Sequence, residues 1–173
     1  MGNFVGYKYL KSYHLATIIY DLTFEFCNRY ISLKSRTHDQ MVQAARSGKQ
    51  NIAEGYLERS LKMYIKLAGV SRGSLGELLE DYEDYARQHK IELWPVEKTR
   101  GMREIRAIRK RSTATVPYIP NLPDNPTEAV NLLITLLNQA NFLLDRQIAS
   151  LEEKFVKEGG YTEKLFKRRA AVR

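Results

Sequence analysis

The chain has 173 residues, 43% of them hydrophobic and 28% charged, so it can bury a core without a disulfide or a metal. Its formal net charge is +8, which favours polyanionic partners. The single cysteine, Cys27, lies at helical spacing beside aromatic residues, where a reduced core thiol is a better interpretation than a nucleophile. No apolar run approaches the roughly 20 residues that cross a bilayer, and residues 1–10 lack the apolar stretch of a signal peptide. We therefore expect a cytoplasmic protein with no membrane partner.

Three helices are predicted in the first half of the chain. Apolar residues recur at steps of three and four in residues 13–31, which predicts the first helix. Thr37 with Gln40 forms a capping box that predicts the start of a second helix, which ends near Gly55. Ser60 caps a third predicted helix, whose apolar seam continues for about eight turns. This helix would be roughly 45 Å long and needs a partner of similar length.

A narrow seam of small residues marks the second predicted helix. Its members recur at steps of four and three: Met41, Ala45, Gly48, Ile52 and Gly55. The third helix offers a small set of its own, Gly69, Gly73 and Gly76. Because a glycine inside a helix costs about 1 kcal/mol relative to alanine, we expect a close helix crossing lined by both sets.

The same region carries a family resemblance. The residues concerned are Gln40, Ser47, the run Asn51-Ile52-Ala53-Glu54-Gly55, and Arg72-Gly73-Ser74-Leu75 with Glu77 and Leu78. With them, residues 10–89 resemble the four helix bundle family named for genes inside 23S rRNA intervening sequences, although Gly48 stands where that family usually has isoleucine. The resemblance implies an all-α fold, an antiparallel up-and-down four-helix bundle with a basic insert before the last helix, and an oligomer. It implies no activity, since most members have no established biochemical function.

The polar members of this signature have two interpretations. Asn51, Glu54, Arg72, Ser74 and Glu77 lie beside the small seam, where a shared hydrogen-bonded network would fix the register of helices two and three. The alternative is a ligand site. The structural interpretation is favoured because nothing nearby supplies a nucleophile or a metal ligand.

Residues 95–111 form a basic segment after the break at Trp94-Pro95. Its basic side chains face a single acid, Glu104, within residues 98–111: Lys98, Arg100, Arg103, Arg106, Arg109, Lys110 and Arg111. Four of them, Arg100, Arg103, Arg106 and Lys110, recur at steps that would align them along one side of a helix. Two interpretations stay open, a solvated amphipathic helix that leans on the bundle and a surface that binds nucleic-acid phosphates. No aromatic residue is interleaved, which argues against base stacking.

The last third of the chain contains a linker, a long helix and a basic tail. Residues 112–125 form the linker, with prolines at three-residue steps. Asn125-Pro126 with Glu128 predicts the start of a helix over residues 126–158, ended by Gly159. Its apolar stripe is wider than one seam requires, so we expect two neighbours to share it. The tail, residues 159–173, adds the basic residues Lys164, Lys167, Arg168 and Arg169. Residues 138–147 and 159–169 also resemble the C-terminal suffix region of one branch of the family, which carries no known chemistry.

The sequence lacks the common catalytic motifs of helical proteins. A di-iron bundle needs Glu-x-x-His pairs, and Lys11, Ser35 and Ala86 stand three residues before the three histidines. No phosphate loop, nucleophile elbow or zinc spacing occurs. We therefore expect no enzyme, no cofactor and no metal site in a single domain that covers residues 1–173.

The sequence thus predicts a non-catalytic, oligomeric protein that binds the backbone of RNA or DNA or serves as an accessory protein. The family resembles the accessory protein of diversity-generating retroelements, a basic homopentamer that works with a reverse transcriptase and RNA. This resemblance implies a ring-like assembly, favours a pentamer, and makes a reverse transcriptase a possible partner. The doubly apolar last helix and the aromatic residues Tyr82 and Tyr85 also favour more than two subunits. The alternative is a protein-interaction scaffold whose positive charge serves solubility.

Overall fold

The computed structural model of the chain describes residues 6–172, which form seven α-helices and no strand within that range. A single 3-10 turn, Gly6–Tyr9, comes first. Four long helices follow in chain order: α1 (Lys11–Tyr30), α2 (Arg36–Leu57), α3 (Leu61–Gln88) and α6 (Pro126–Glu158). Two short helices, α4 (Val96–Arg100) and α5 (Arg103–Arg111), lie between α3 and α6, and α7 (Tyr161–Ala171) follows α6.

The four long helices form an antiparallel bundle in which α2 and α6 each pack against both α1 and α3. Short turns join α1 to α2 and α2 to α3, which makes these neighbours antiparallel. The start of α6 meets the end of α1, because Tyr30 Oη donates to the carbonyl of Asp124 (2.8 Å). Later in α6, Gln147 Oε1 accepts from Ser12 Oγ at the start of α1 (2.8 Å). The predicted all-α, up-and-down four-helix bundle with an insert before the last helix is confirmed.

The small seam of α2 lies in the core as predicted, with Met41, Ala45, Gly48, Ile52 and Gly55 all buried. At Gly48 the two helices come into direct contact, since Ser71 Oγ of α3 donates to the Gly48 carbonyl (2.6 Å). A Cβ added to Gly48 would lie 2.6 Å from Leu75 Cγ. Gly48 therefore allows a close approach of α2 and α3.

The glycines of α3 do not line this crossing, and that expectation was wrong. Gly69 and Gly73 are exposed, and a Cβ added to either would meet nothing within 4 Å. A Cβ on Gly76 would approach only Arg72 of the same helix. The face of α3 that packs inward is rotated away from the glycines and carries Ala68, Ser71, Leu75, Leu78, Tyr82 and Ala86.

The predicted capping box of α2 was also wrong. The N-cap is Ser35, whose side chain accepts a hydrogen bond from the backbone N–H of Thr37 (3.2 Å). Thr37 therefore lies inside the first turn, and the helix begins at Arg36. Two serines and a threonine occur within residues 32–37, so more than one of them had suitable chemistry for the cap.

The ends of α3 and α6 agree with the sequence signals. Ser60 caps α3, accepting from the backbone N–H of Met63. Asn125 Oδ1 accepts from the second and third residues of α6, and Pro126 occupies its first position. At the other end Gly159 adopts a φ of +74°, which a residue with a side chain rarely adopts.

Two features that favoured an oligomer belong to the core of a single protomer. The wide apolar stripe of α6 faces both α1 and α3. Tyr82 is fully buried, its Oη donates to Thr23 Oγ1 of α1 (3.0 Å), and its ring packs edge-on against Phe26 with centroids 5.0 Å apart. Tyr85 also packs against Phe26, at 5.1 Å. These residues therefore carry no argument for further subunits.

Replacing Gly48 or Gly73 by alanine is expected to change stability in opposite directions. Gly48→Ala should lower the free energy of unfolding, because overpacking at the crossing typically costs about 1 to 3 kcal/mol and exceeds the gain in helix propensity. Gly73→Ala should raise it by up to about 1 kcal/mol, because the position is open and helical. Urea unfolding followed by circular dichroism measures both. A stability loss in Gly73→Ala that matches the loss in Gly48→Ala would contradict this account of the crossing.

Candidate nucleic-acid interface

The basic insert is fastened to the bundle at its start by Asn131 of α6, a buried residue. The Asn131 side chain accepts from the backbone N–H of Trp94 (2.7 Å) and donates to the carbonyl of Glu92 (2.9 Å). These two bonds hold the connection after α3, so α4 begins at a fixed place. This role of Asn131 is not evident from the sequence, because a single asparagine in an apolar stripe gives no signal of its partner.

Apolar side chains fasten the second half of the insert. Met102 and Ile105 are buried, and Ile108 packs against the core. The predicted basic residues of the segment are all exposed: Lys98, Arg100, Arg103, Arg106, Arg109, Lys110 and Arg111. The insert is therefore amphipathic, with a thin apolar edge on the bundle and its cations toward solvent.

The predicted stripe of four cations is not continuous, because the basic segment is two helices. Gly101 and Met102 separate α4 from α5, so Arg100 lies on a different helix from the other three. Arg103, Arg106 and Lys110 share one side of α5 at steps of three and four. Arg109 lies on another side of α5 and lines a groove beside α1 and α6.

Few acids neutralise this surface within the chain. Among residues 6–172, Arg103 is the one member of the seven with a carboxylate within 4.0 Å, that of Glu104 at 3.4 Å. The Arg103 side chain of this pair is largely exposed to solvent, and an ion pair in such a setting contributes little to stability. The surface therefore keeps nearly all of its positive charge available to a partner.

Two aromatic rings from outside the segment contact its cations. Lys98 Nζ lies 3.6 Å from the centroid of the Trp94 ring. At the other end, Arg111 Nη1 donates to Tyr118 Oη (2.9 Å), and the guanidinium lies 5.0 Å from the ring centroid. The segment itself has no aromatic residue, but the fold brings these two to its edges. Since each ring already contacts a cation, both serve to hold Lys98 and Arg111 in place.

The basic tail forms a separate surface on α7. Lys164 Nζ pairs with Glu158 (2.9 Å), and this hydrogen bond lowers the pKa of the Glu158 carboxyl. Lys167, Arg168 and Arg169 are exposed. The groove beside α5 involves α6 no further than Leu143, and α6 continues for about 22 Å before α7 begins. The structure therefore does not merge the two predicted basic regions into one site.

The signature residues form two smaller contacts in place of the predicted network. The Ser47 and Ser74 hydroxyls lie 2.9 Å apart, which links α2 to α3, and Asn51 Nδ2 donates to the Ser47 carbonyl within α2. Arg72 Nε donates instead to Asp145 of α6 (2.8 Å). Three other members take no part: Glu54, Gly73 and Glu77 are exposed, and neither carboxylate makes a hydrogen bond within the described part of the chain. Gly55 belongs to the buried seam.

Other chemistry is sparse in the part of the chain that the structure covers. Residues 6–172 contain no group of three or more side chains placed to hold a metal ion. None of the described helices is long and apolar enough to cross a membrane. Cys27 is fully buried, and burial together with the nearby Asp81 carboxylate raises the pKa of its thiol to about 12.

Comparison with known proteins gives a family match. Residues 8–98 match the family model described as 23S rRNA-intervening sequence protein, which is more than half of the chain. No curated protein and no solved structure matches the chain significantly. The match covers α1, α2, α3 and the start of α4, and leaves α5, α6 and α7 outside it.

The Cys27 thiol is expected to be unreactive in the folded protein. With a pKa of about 12 the thiolate fraction at pH 8 is on the order of one in ten thousand, against about a quarter for an ordinary thiol. An aromatic disulfide reagent should therefore modify the native protein at least about a thousand times more slowly than free cysteine. The guanidinium-unfolded chain is the control and should release one equivalent at once. Rapid reaction of the native protein would restore the nucleophile interpretation.

Proposed function

The chain belongs to the 23S rRNA-intervening sequence protein family, and on this premise we propose that it is a non-catalytic, oligomeric protein that binds the phosphate backbone of RNA or DNA. The proposed binding surface is formed by α4 and α5, with the α7 tail as a second basic surface. The family alone specifies no activity. The proposal therefore rests on the charge and geometry of residues outside the matched region.

One observation carries the proposal, the density of exposed and unneutralised charge on the insert. Seven basic residues against one acid give residues 98–111 a charge of +6 out of the +8 of the whole chain. Side chains this close repel one another unless an anionic partner neutralises them. A polyanion with evenly spaced phosphates satisfies several of them at once and releases its counterions.

The same surface favours contacts with phosphates over contacts with bases. Arg103, Arg106 and Lys110 point to solvent from one side of a helix anchored by Ile105, a geometry that reaches along a backbone. The neighbouring rings of Trp94 and Tyr118 already contact cations of the protein, so they support the surface and are poor platforms for stacking. Binding should therefore tolerate changes of sequence.

The oligomeric part of the proposal is supported by apolar side chains that the protomer leaves exposed. Phe142 is 59% exposed, Val156 is 82% exposed, and Phe166 on α7 is 72% exposed. They lie on α6 and α7, and burial between protomers would remove their apolar surface from water. The resemblance to the accessory protein of diversity-generating retroelements favours five subunits and a reverse transcriptase as a partner.

A second candidate function, a protein-interaction scaffold, is favoured by an acidic run on α3. Glu77, Glu80, Asp81, Glu83 and Asp84 lie within two turns. Burial, together with the charges of Glu77 and Asp84, raises the pKa of Asp81. Such a surface repels nucleic acid and could pair with cations of another protein. It lies on α3, while the basic insert lies beside α1 and α6.

The first prediction of this proposal concerns assembly. Light scattering of the purified protein at micromolar concentration should give a mass of at least three times the 20.1 kDa of one chain. The exposed apolar residues provide the physical reason, because they become buried only between protomers. A 20.1 kDa species across the whole concentration range would remove the oligomeric part of the proposal.

The second prediction concerns nucleic acid. Changing Arg100, Arg103, Arg106 and Lys110 to alanine should weaken binding of both RNA and duplex DNA. The logarithm of the affinity should fall with the logarithm of salt concentration by about 0.7 to 0.9 per phosphate contact, so loss of four contacts makes the slope shallower by about 3. A salt titration of the wild type and the variant measures both the affinity and the slope.

A matched variant distinguishes an effect of the insert on binding from an effect of net charge alone. Lys34, Arg36, Lys62 and Lys66 are exposed cations on other parts of the chain, and changing them to alanine removes the same charge. This control should keep most of the affinity and nearly the wild-type slope. If the insert variant folds and binds with unchanged affinity and slope, the insert is not the binding surface, and the α7 tail or an acidic protein partner explains the charge better.

A further inference from the structure

A groove on one side of the bundle has apolar walls that the described part of the chain does not cover. It encloses about 610 Å³ between α1, α5 and α6, which is within the range of pockets that bind small molecules. Four aliphatic side chains line it: Leu15, Ile18, Ile108 and Leu143. Ile18 is fully buried, and the other three are partly exposed. The groove therefore leaves apolar surface in contact with water, which favours an apolar occupant.

The fold holds the sides of this groove in place. α1 and α6 pack against each other, and Ser12 Oγ at the start of α1 donates to Gln147 Oε1 of α6 (2.8 Å). α5 is anchored on the bundle by the buried Ile105. Just after α5, the backbone N–H of Tyr118 donates to Ser112 Oγ (2.9 Å), which ties the end of the helix to the linker. A ligand would therefore meet a groove that is already formed, which lowers the entropic cost of binding.

The permanently charged groups that line the groove are cations. Lys11 and Arg109 line it, and no aspartate or glutamate of residues 6–172 does. Within that range neither cation has a carboxylate within 4.0 Å. His14 also lines the groove, and its Nε2 donates to the carbonyl of Lys8 (2.6 Å), so this ring adds a positive charge only when it is protonated. The charge of the groove thus favours an anion.

The remaining polar groups are compatible with an anion. α1 begins at Lys11 without a side-chain cap, so the positive end of its dipole lies at the groove. α5 ends beside the groove with the negative end of its dipole, but the full charge of Arg109 exceeds a terminal charge of about half a unit. The Ser112 hydroxyl and the Gln139 amide also line the groove, and both can donate hydrogen bonds.

We infer that the groove binds a small amphipathic anion, an aliphatic chain that carries one carboxylate. The chain packs on the four aliphatic walls, and Lys11 and Arg109 neutralise the carboxylate. From Lys11 to Ile18, α1 extends about 10 Å, roughly the length of a chain of eight to ten carbon atoms. This site goes beyond the proposed function, because it requires neither assembly nor nucleic acid.

A series of ligands separates the contribution of the walls from that of the charge. Decanoate, octanoate, decanol and decylammonium are titrated into the whole chain below their micellar concentrations, and the methyl resonances of its leucines and isoleucines are followed. Decanoate should saturate and shift the methyl resonances of Leu15, Ile18, Ile108 and Leu143. Octanoate should bind about tenfold more weakly, because two fewer methylenes are buried. Decylammonium should bind at least about tenfold more weakly than decanoate, because its charge has the same sign as the groove.

A double variant tests the two cations directly. Lys11→Gln with Arg109→Gln should weaken decanoate binding by about tenfold, because two ion pairs are lost, and should leave decanol binding unchanged. Both residues are exposed, so the bundle should keep its melting temperature. The matched control, Lys34→Gln with Arg36→Gln, removes the same charge from exposed positions elsewhere and should leave both affinities at their wild-type values.

Four results would overturn the inference. The first is a wild type that does not bind decanoate saturably, and the second is saturable binding that leaves the methyl resonances of the four wall residues unchanged. The third is equal affinity for decanoate in the wild type and the folded Lys11→Gln, Arg109→Gln variant. The fourth is equal affinity of the wild type for decanoate and decylammonium, a comparison that needs no variant. The salt titration is independent of all four, because its variant changes other residues.

Discussion

The close crossing of α2 and α3 is the contact on which the rest of the structure depends. Gly48 has no side chain, so the hydroxyl of Ser71 reaches its carbonyl inside the core, and Leu75 fills the space beside it. A buried hydroxyl without a partner would cost about 1 to 3 kcal/mol, so the bond also fixes which residues of α3 face inward. That rotation directs Leu78 and Tyr82 toward the core and leaves the glycines of α3 outside. The hydroxyl contact of Ser47 with Ser74 strengthens the same register at the surface.

Much of this fold follows from signals that lie close together in the sequence. The buried seam of α2 repeats at steps of four and three, which is enough to define one side of a helix without knowledge of its partner. The limits of α6 follow from Asn125, Pro126 and Gly159, each of which acts on its own helix end. The width of the apolar stripe on α6 correctly indicated two neighbours, since α1 and α3 both pack against it.

The features that the sequence could not supply depend on residues far apart in the chain. Gly73 resembles a packing residue until the rotation of α3 is known, and that rotation is set by Ser71 against Gly48. Arg72 has carboxylates close by in sequence, yet its partner is Asp145 on α6. Tyr118 lies seven residues after Arg111 and reaches it only because the linker turns back along α5. The N-cap of α2 depends only on nearby residues, but serine and threonine both fit the role, so the sequence does not distinguish Ser35 from Thr37.

For the candidate binding site as well, the sequence indicates which residues are present but not how the fold arranges them. The sequence located the seven cations and the apolar edge, because both are properties of one short segment. The break at Gly101 and the bonds of Asn131 decide how the cations are presented, and these belong to the folded state.

Anchoring gives the basic insert a defined shape despite its charge. Burial of a Met or Ile side chain contributes about 1.5 to 3 kcal/mol, so Met102 and Ile105 can offset repulsion among exposed cations that solvent and salt already screen. The surface is therefore held in place before a partner arrives, which reduces the entropy lost on binding. In the proposed function each phosphate contact would be weak, and one protomer would make only a few. Repetition of the surface around an assembly would place several such sites on one nucleic acid and raise the overall affinity without a new kind of contact. In the proposed function, assembly and nucleic-acid binding would reinforce each other: assembly would repeat the basic surface, and a polyanion shared between protomers would neutralise charge that otherwise opposes assembly.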